Sequence, residues 1–219
     1  MNIEPTFLVS FPRSGNTWTR YLLECATGIF SGSVYDDKDT FNLGYKGELE
    51  PYQSGRTLVI KTHTHAFKNS PPVKLDGPTY VILLIRNPAD ALISYWSFKI
   101  ARDSKEKDFY HYNIDSKTYK GLNLKENPLQ ELRRMLDFLE VKEDEKRISC
   151  LKKHMKGPAK RDHKELKIEA FTKSEKRLIA HSLANTLNLL RNRGIKPPKS
   201  YSKLILPENM AINLNNSFV

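Results

Sequence analysis

Residues 7–24 read FLVSFPRSGNTWTRYLLE: a short apolar run, a Pro-Arg-Ser-Gly-Asn-Thr loop, then an amphipathic stretch. Thr6 to Ser10 has the β-branched and bulky side chains of a buried parallel strand. Past the loop, Trp18, Tyr21, Leu22, Cys25, Ala26 and Ile29 recur at helical spacing and define one apolar face. A strand feeding a tight loop that opens a helix gathers backbone N–H groups and the positive helix end around one point, which makes an anion site. Gly15 allows close backbone approach, Ser14, Asn16 and Thr17 add side-chain donors, and Arg13 brings a permanent charge on a planar fork of donors. Ser-Gly-Asn also occurs in plain tight turns. An ATP or GTP loop would need Gly-x-x-x-x-Gly-Lys-Ser/Thr, whereas Asn16, Thr17 and Trp18 follow Gly15 here.

Outward from this loop, Thr57 to Lys61 (TLVIK) and Thr79 to Ile85 (TYVILLI) are expected as two further buried parallel strands, so the first half reads as α/β. The last of these runs ends in Arg86, where many NTPases place a metal-holding Asp. An arginine there recruits an anionic group directly, and a site with Arg13 and Arg86 has less need of magnesium. The plain alternative is an ion pair of Arg86 with Asp90. Asn87-Pro88 starts a helix carrying Leu92, Tyr95, Trp96 and Lys99.

The second half reads as mostly helical. Asn127 and Gln130 have the spacing of a helix cap, with Leu129, Leu132, Leu136 and Leu139 as the buried stripe. Thr172 to Glu175 spells a capping box, followed by Leu178, Ile179, Leu183, Leu187 and Leu190 and a stop at Gly194 and Pro197. Between Arg102 and Lys120 the chain is polar and without periodicity, as expected of a surface loop or mobile segment.

With 219 residues the chain suggests one domain, and 36 Lys plus Arg against 25 Asp plus Glu give a net charge of +11 that favours anionic partners. General nucleic-acid binding is disfavoured, because the basic residues of the tail lack interleaved aromatics. Cys25 and Cys150 are the only cysteines, too few for a disulfide scaffold or a zinc site; a reduced compartment fits them, and at most one bridge is open to them. No apolar run approaches the ~18 residues that span a membrane, and no signal-peptide layout opens the chain. As given, it reads as cytoplasmic or as a piece of something longer.

These residues resemble a known family. FPRSGNTW is similar to the loop of PAPS-dependent sulfotransferases that holds the 5′-phosphosulfate, and LLIRNPADALISYW resembles their second signature, in which an Arg and a Ser hold the 3′-phosphate. VIKTHTH is similar to the family's Lys-Thr-His at a strand end. With RISCLKKHMKGPAKRDHKE and AFTKSEK, the spelling looks closest to the WSC-domain-containing sulfotransferases, and the match touches residues 6 to 100 and 123 to 193.

The resemblance implies an α/β fold: a three-layer αβα sandwich with a central parallel sheet, a P-loop-like phosphate-binding loop and a helical C-terminal half, in one domain over 1–219 with 102–120 mobile or shortened. It implies PAPS (3′-phosphoadenosine 5′-phosphosulfate) as co-substrate without a metal, bound by Arg13, Ser14, Gly15, Asn16, Thr17, Trp18, Arg86, Ser94, Lys160 and Arg161. Trp18 and Ser94 have simple helix packing as their alternative. The catalytic candidates are His63 as general base, Arg13 as electrostatic stabiliser and Lys61. A histidine with the reference pKa of about 6.5 is mostly neutral near pH 7. In an extended segment Lys61, His63 and His65 alternate onto one face, so His65 competes for the same role.

Arg13 stands where cytosolic members commonly carry lysine; a lysine can donate a proton, whereas arginine effectively cannot. Because the leaving group is a phosphate, fixed charge suffices. The resemblance implies a small-molecule or glycan acceptor carrying a hydroxyl or amine, with protein tyrosine left open beside them, and the expected compartment is the cytoplasm as given, or the Golgi lumen if the chain is a fragment. The chain departs from the family between the second signature and the Leu-Lys-x-x-Pro helix start. Tyr119 to Asn123 runs directly into Leu124 to Pro128, without the strand ending in Tyr-Glu-Asp-Leu that members usually carry. A parallel sheet lacking that strand would expose unpaired edge groups. The alternative function is therefore a catalytically weak nucleotide- or anion-binding protein that retains the scaffold.

Overall fold

A computed structural model describes residues 5–63, 73, 79–103, 127–157, 171–192 and 194. Its four strands are β1 (Thr6–Ser10), β2 (Gly32–Ser33), β3 (Ile60–Thr62) and β4 (Tyr80–Leu84), in one sheet of order β2-β3-β1-β4. Every pairing is parallel, with Phe7 to Val9 of β1 opposite Ile60 to Thr62 and Thr6 to Ser10 opposite Tyr80 to Leu84. The helices are α1 (Asn16–Thr27), α2 (Lys38–Asn42), α3 (Pro88–Asp103), α4 (Pro128–Phe138), α5 (Glu145–Lys153) and α6 (Lys173–Asn192). The parallel α/β architecture is the one the apolar runs imply.

The chain divides into two compact units, Met1–Ile85 with Glu126–Asp162, and Arg86–Lys125 with His163–Val219. In the first, β1 is flanked by strands on both sides, and Phe7 and Leu8 are buried. α1 packs on β1 and against α4 and α5. Leu22, Leu23 and Ala26 of α1, Leu132 and Leu136 of α4, and Ile148 and Leu151 of α5 make this core. α1 ends at Gly28, whose φ of 74° suits glycine and whose N–H donates to Glu24 O. Ile29, expected on the apolar face, lies beyond that stop and is exposed, while Arg20 and Leu23 take buried places instead.

The run at 79–85 is not a buried strand. β1 pairs one edge of β4, no strand among the described residues pairs the other, and Tyr80, Val81 and Leu83 are exposed. The run at 57–61 forms a strand at residues 60–62; ahead of it Leu58 N–H donates to Phe30 O, and Val59 O accepts from Gly32 of β2, the strand that β3 pairs. β2 and α2 are too short to announce themselves by periodicity.

Asn127 caps α4 by position but makes no side-chain cap bond; Pro128 at the helix start, which lacks an N–H to satisfy, sets the boundary instead. Met135 joins Leu132 and Leu136 in the buried stripe. In the second unit α3 packs against α6. The capping box ahead of α6 forms as spelled, Thr172 N–H donating to Glu175 Oε2 at 2.8 Å and Glu175 N–H to Thr172 Oγ1 at 3.3 Å. Leu183 is buried there, but Leu178 is exposed despite its place in the apolar pattern. α3 runs through Arg102 to Asp103. The rest of the segment read as a surface loop, together with His65, Lys160, Arg161 and Pro197, lies outside the described residues. No helix among the described residues is long and apolar enough to cross a membrane.

Candidate active site

The chain leaves β1 at Ser10 and turns through Phe11 to Gly15, with Ser14 N–H donating to Phe11 O at 3.2 Å. Arg13 takes a φ of 65° and Gly15 one of 95°. The left-handed region is natural for glycine and strained for arginine, and such strain concentrates at functional turns. α1 starts at once: Gly15 is its cap residue, and the first intrahelical bond is Thr19 N–H to Gly15 O at 2.9 Å. A glycine brings no capping side chain to the first-turn N–H groups of Asn16, Thr17 and Trp18. A Cβ added at Gly15 would meet no atom within 4 Å, so the space before it is open. Positive helix end, open glycine and half-buried Arg13 together fit a phosphate or phosphosulfate group.

Not every loop residue faces that space. The Asn16 amide donates to Leu8 O at 3.0 Å and to Ser10 Oγ at 3.2 Å, which straps the helix start to β1. Asn16 therefore shapes the loop through its donors to the strand. The Trp18 indole N–H donates to Met155 O at 2.9 Å and its ring is buried, so Trp18 holds the turn after α5. Ser14 is buried within the turn, and Thr17 O accepts from the Tyr45 hydroxyl at 2.9 Å.

His63 follows β3, the neighbour of β1, and reaches back to the same strand end. Its Nδ1 lies 2.8 Å from Ser10 O and 3.3 Å from Ser10 Oγ. A carbonyl oxygen only accepts, so Nδ1 carries the proton and Nε2 the lone pair. Burial lowers the imidazole pKa to about 4; the Ser10 bond opposes this, and the charges of Lys61 and Arg20 add to it. The ring is therefore neutral near pH 7, by a wider margin than the reference value gives.

Tyr35, which sequence reasoning did not single out, fixes this histidine twice. His63 N–H donates to the Tyr35 hydroxyl at 2.6 Å, and the two rings stack with centroids 5.6 Å apart. The Lys61 ammonium lies over the same tyrosine ring at 5.5 Å, so Lys61 and His63 share a face as their alternation requires. Lys61 also belongs to a buried ion network. Its Nζ is 3.8 Å from Glu48 Oε1, while Glu48 Oε2 accepts from Arg20 Nη1 at 2.5 Å. Arg20 Nε further donates to Ser31 Oγ at 2.6 Å. Burial lowers the Lys61 pKa, against the carboxylate of Glu48. Neither Arg20 nor Glu48 has a motif around it, and the pairing joins residues 28 apart in the chain.

Arg86 opens the second unit and is half-buried; burial lowers its pKa and the neighbouring buried Asp90 raises it, so the anticipated Arg86–Asp90 electrostatic pairing is present. Asn87 Oδ1 accepts from Ala89 N–H at 3.0 Å and caps α3, on which Ser94 stands half-buried one turn beyond Asp90.

The sulfotransferase domain family matches residues 4–121, more than half of the chain, and the match takes in the loop, the Lys61 to His63 strand end and the Arg86 to Ser94 segment. The chain belongs to the sulfotransferase family. Among curated relatives it is 30% identical over 199 residues to WSCD family member CG9164 of Drosophila melanogaster, covering 77% of this chain and 61% of that one. WSCD family member GA21586 of Drosophila pseudoobscura pseudoobscura is 29% identical with the same coverage. WSCD family member AAEL009094 of Aedes aegypti is 43% identical over 91 residues, 42% of this chain and 26% of that one. The chain thus spans about 61% of the length of the first two relatives. No solved structure matches it significantly.

Proposed function

We propose that this chain is a PAPS-dependent sulfotransferase acting on a hydroxyl or amine of a small-molecule or glycan acceptor. The observation that carries the reading is the contact of His63 Nδ1 with Ser10 O at 2.8 Å, at the strand end from which the anion loop departs. PAPS would supply a sulfuryl group on a phosphate leaving group. His63 Nε2 takes the acceptor proton as general base; with its pKa lowered to about 4 it is unprotonated near pH 7 but a weaker base than a histidine titrating near the working pH. Arg13 and the first-turn N–H groups of α1 stabilise charge growing on the leaving phosphate by electrostatics alone. Gly15 gives that phosphate room, with Ser14, Asn16 and Thr17 shaping the loop around it.

Lys61, held by Glu48, keeps positive charge behind His63 and so disfavours a second proton on the ring. Trp18 steadies the first turn of α1 through Met155 O. Arg86 and Ser94, with Lys160 and Arg161, are assigned to the 3′-phosphate on the strength of the second signature and the C-terminal block; a guanidinium matches phosphate geometry bidentately.

A second reading has its own support: β4 ends the sheet among the described residues, where family members carry a further strand. On that reading the chain binds the nucleotide with little turnover.

Calorimetric titration with adenosine 3′,5′-bisphosphate, with AMP as control and Arg86→Ala as variant, tests the nucleotide site. Binding that needs both the 3′-phosphate and Arg86 supports it, and an acceptor screen with His63→Ala then separates the two readings. A folded protein that does not bind the bisphosphate ends both.

A further inference from the structure

α1 and α5 pack against one another within the first unit. Two contacts fix their relative direction and register. The Tyr21 hydroxyl donates to His154 O at 2.8 Å, and a Cβ added at Gly28 would lie 2.5 Å from the Arg147 guanidinium. Advancing along α1 from Tyr21 to Gly28 thus means retreating along α5 from His154 to Arg147, by seven residues in each case (28 − 21 and 154 − 147), so the helices run antiparallel. Cys25 lies four residues past Tyr21 (25 − 21), one helical turn on the same face; the position four residues back from His154 (154 − 4) is Cys150. Position numbers on this seam add to 175 for Tyr21 and His154, for Gly28 and Arg147, and for Cys25 and Cys150 alike.

We propose that Cys25 and Cys150, the only two cysteines of the chain, form a reversible disulfide that staples α5 to the helix bearing the anion loop. Both are free thiols in this structure, Cys25 half-buried and Cys150 exposed. The electrostatic surroundings of Cys25 agree with the register, since Cys150 and Arg147 are both among the groups acting on its thiol. Cys150 borders an open groove of about 570 Å³ that is also lined by Glu145, Lys146, Ser149, Lys153 and His154, where two lysines against one carboxylate leave a net positive approach open to an anionic oxidant such as glutathione disulfide.

The chemistry follows from the exposures. The Cys150 thiolate attacks one sulfur of glutathione disulfide, forming a mixed disulfide and releasing one glutathione thiolate. Cys25, having given up its proton, attacks the Cys150 sulfur and releases the second glutathione. Two protein thiols lose two electrons and two protons, and one glutathione disulfide becomes two glutathione thiols. The bridge closes a loop of more than a hundred residues, which restricts the unfolded chain strongly. It also holds the turn at Met155, which accepts the Trp18 indole N–H.

The test is equilibration of the full chain with oxidised or reduced glutathione, alkylation, intact mass measurement and peptide mapping. The expected result is a monomer lighter by two hydrogens, resistant to alkylation, with Cys25 and Cys150 peptides linked. Oxidation should raise the midpoint of thermal unfolding by roughly 5–10 °C. Cys150→Ser, at an exposed position that the fold tolerates, should lose that rise, which covers the case in which Cys25→Ser disturbs α1. A stable glutathione adduct on Cys150 with Cys25 still alkylated, or cross-linked dimers in place of the monomer, would overturn the proposal.

Discussion

At His63 a single backbone bond decides the chemistry, because the Ser10 carbonyl can only accept and so assigns the ring proton to Nδ1. The same burial has a consequence for stability. An unfolded chain titrates this histidine near 6.5, whereas the folded one holds the proton only near 4. Between those values the unfolded state binds more protons, so this contribution is full above 6.5 and is lost as pH falls toward 4, on the order of 3 kcal/mol in all. Denaturant midpoints at pH 7 and pH 4.5 measure it: wild type should lose more stability over that interval than His63→Gln. Arg13 makes the second prediction at this scale. Relief of its φ of 65° should leave Arg13→Gly between neutral and about 1 kcal/mol more stable, while adenosine bisphosphate affinity falls about tenfold or more. Melting curves beside calorimetry check the pair, and unchanged affinity would remove Arg13 from the site. His63, Arg13 and Gly15 were legible in the sequence because their neighbours spell recognisable motifs. Tyr35 was not, since nothing local marks a tyrosine whose partner is 28 residues away.

Elements were legible in proportion to how locally their causes act. β1 reads to the residue, being a short apolar run bounded by a loop, and the capping box of α6 reads from Thr172 and Glu175 alone. Thr172→Ala should therefore cost about 1 kcal/mol, read from the thermal or denaturant transition of α6, while Thr172→Ser should keep most of it. Loss well below that value would mean that packing on α3 rather than the cap holds the helix. β4 was misread as buried because its residues are apolar, but burial of a strand depends on which neighbours lie beside and above it. Asn127 shows the converse: a cap-forming residue sits in the cap position without making the side-chain bond, and Pro128 marks the helix start through its fixed φ.

At the scale of the molecule, the core of the first unit contains an ion network as well as hydrocarbon. Arg20 and Glu48 are wholly buried and Lys61 nearly so, with Ser31 and the Tyr45 ring completing the surroundings of the guanidinium. Removing one partner strands the others in low dielectric, so Glu48→Ala should destabilise by about 3–5 kcal/mol, measured by urea unfolding. Arg20→Met and Glu48→Leu combined with Lys61→Met should recover most of that loss, because only replacement of all three leaves no buried charge. A small effect of Glu48→Ala would show that water reaches Lys61. The sequence by itself determined the strand-loop-helix turn from β1 to α1, the parallel α/β class and the family, because each rests on short-range spelling: apolar runs, a glycine with positive φ, and motifs in order. Tertiary structure alone decided the contact of His63 Nδ1 with Ser10 O, the Tyr35 clamp, the placing of Lys61 against Glu48 and the packing of α5 on α1. Those depend on which distant segments the packing brings within a hydrogen bond or a helix diameter of one another, and no local pattern of residues encodes that distance.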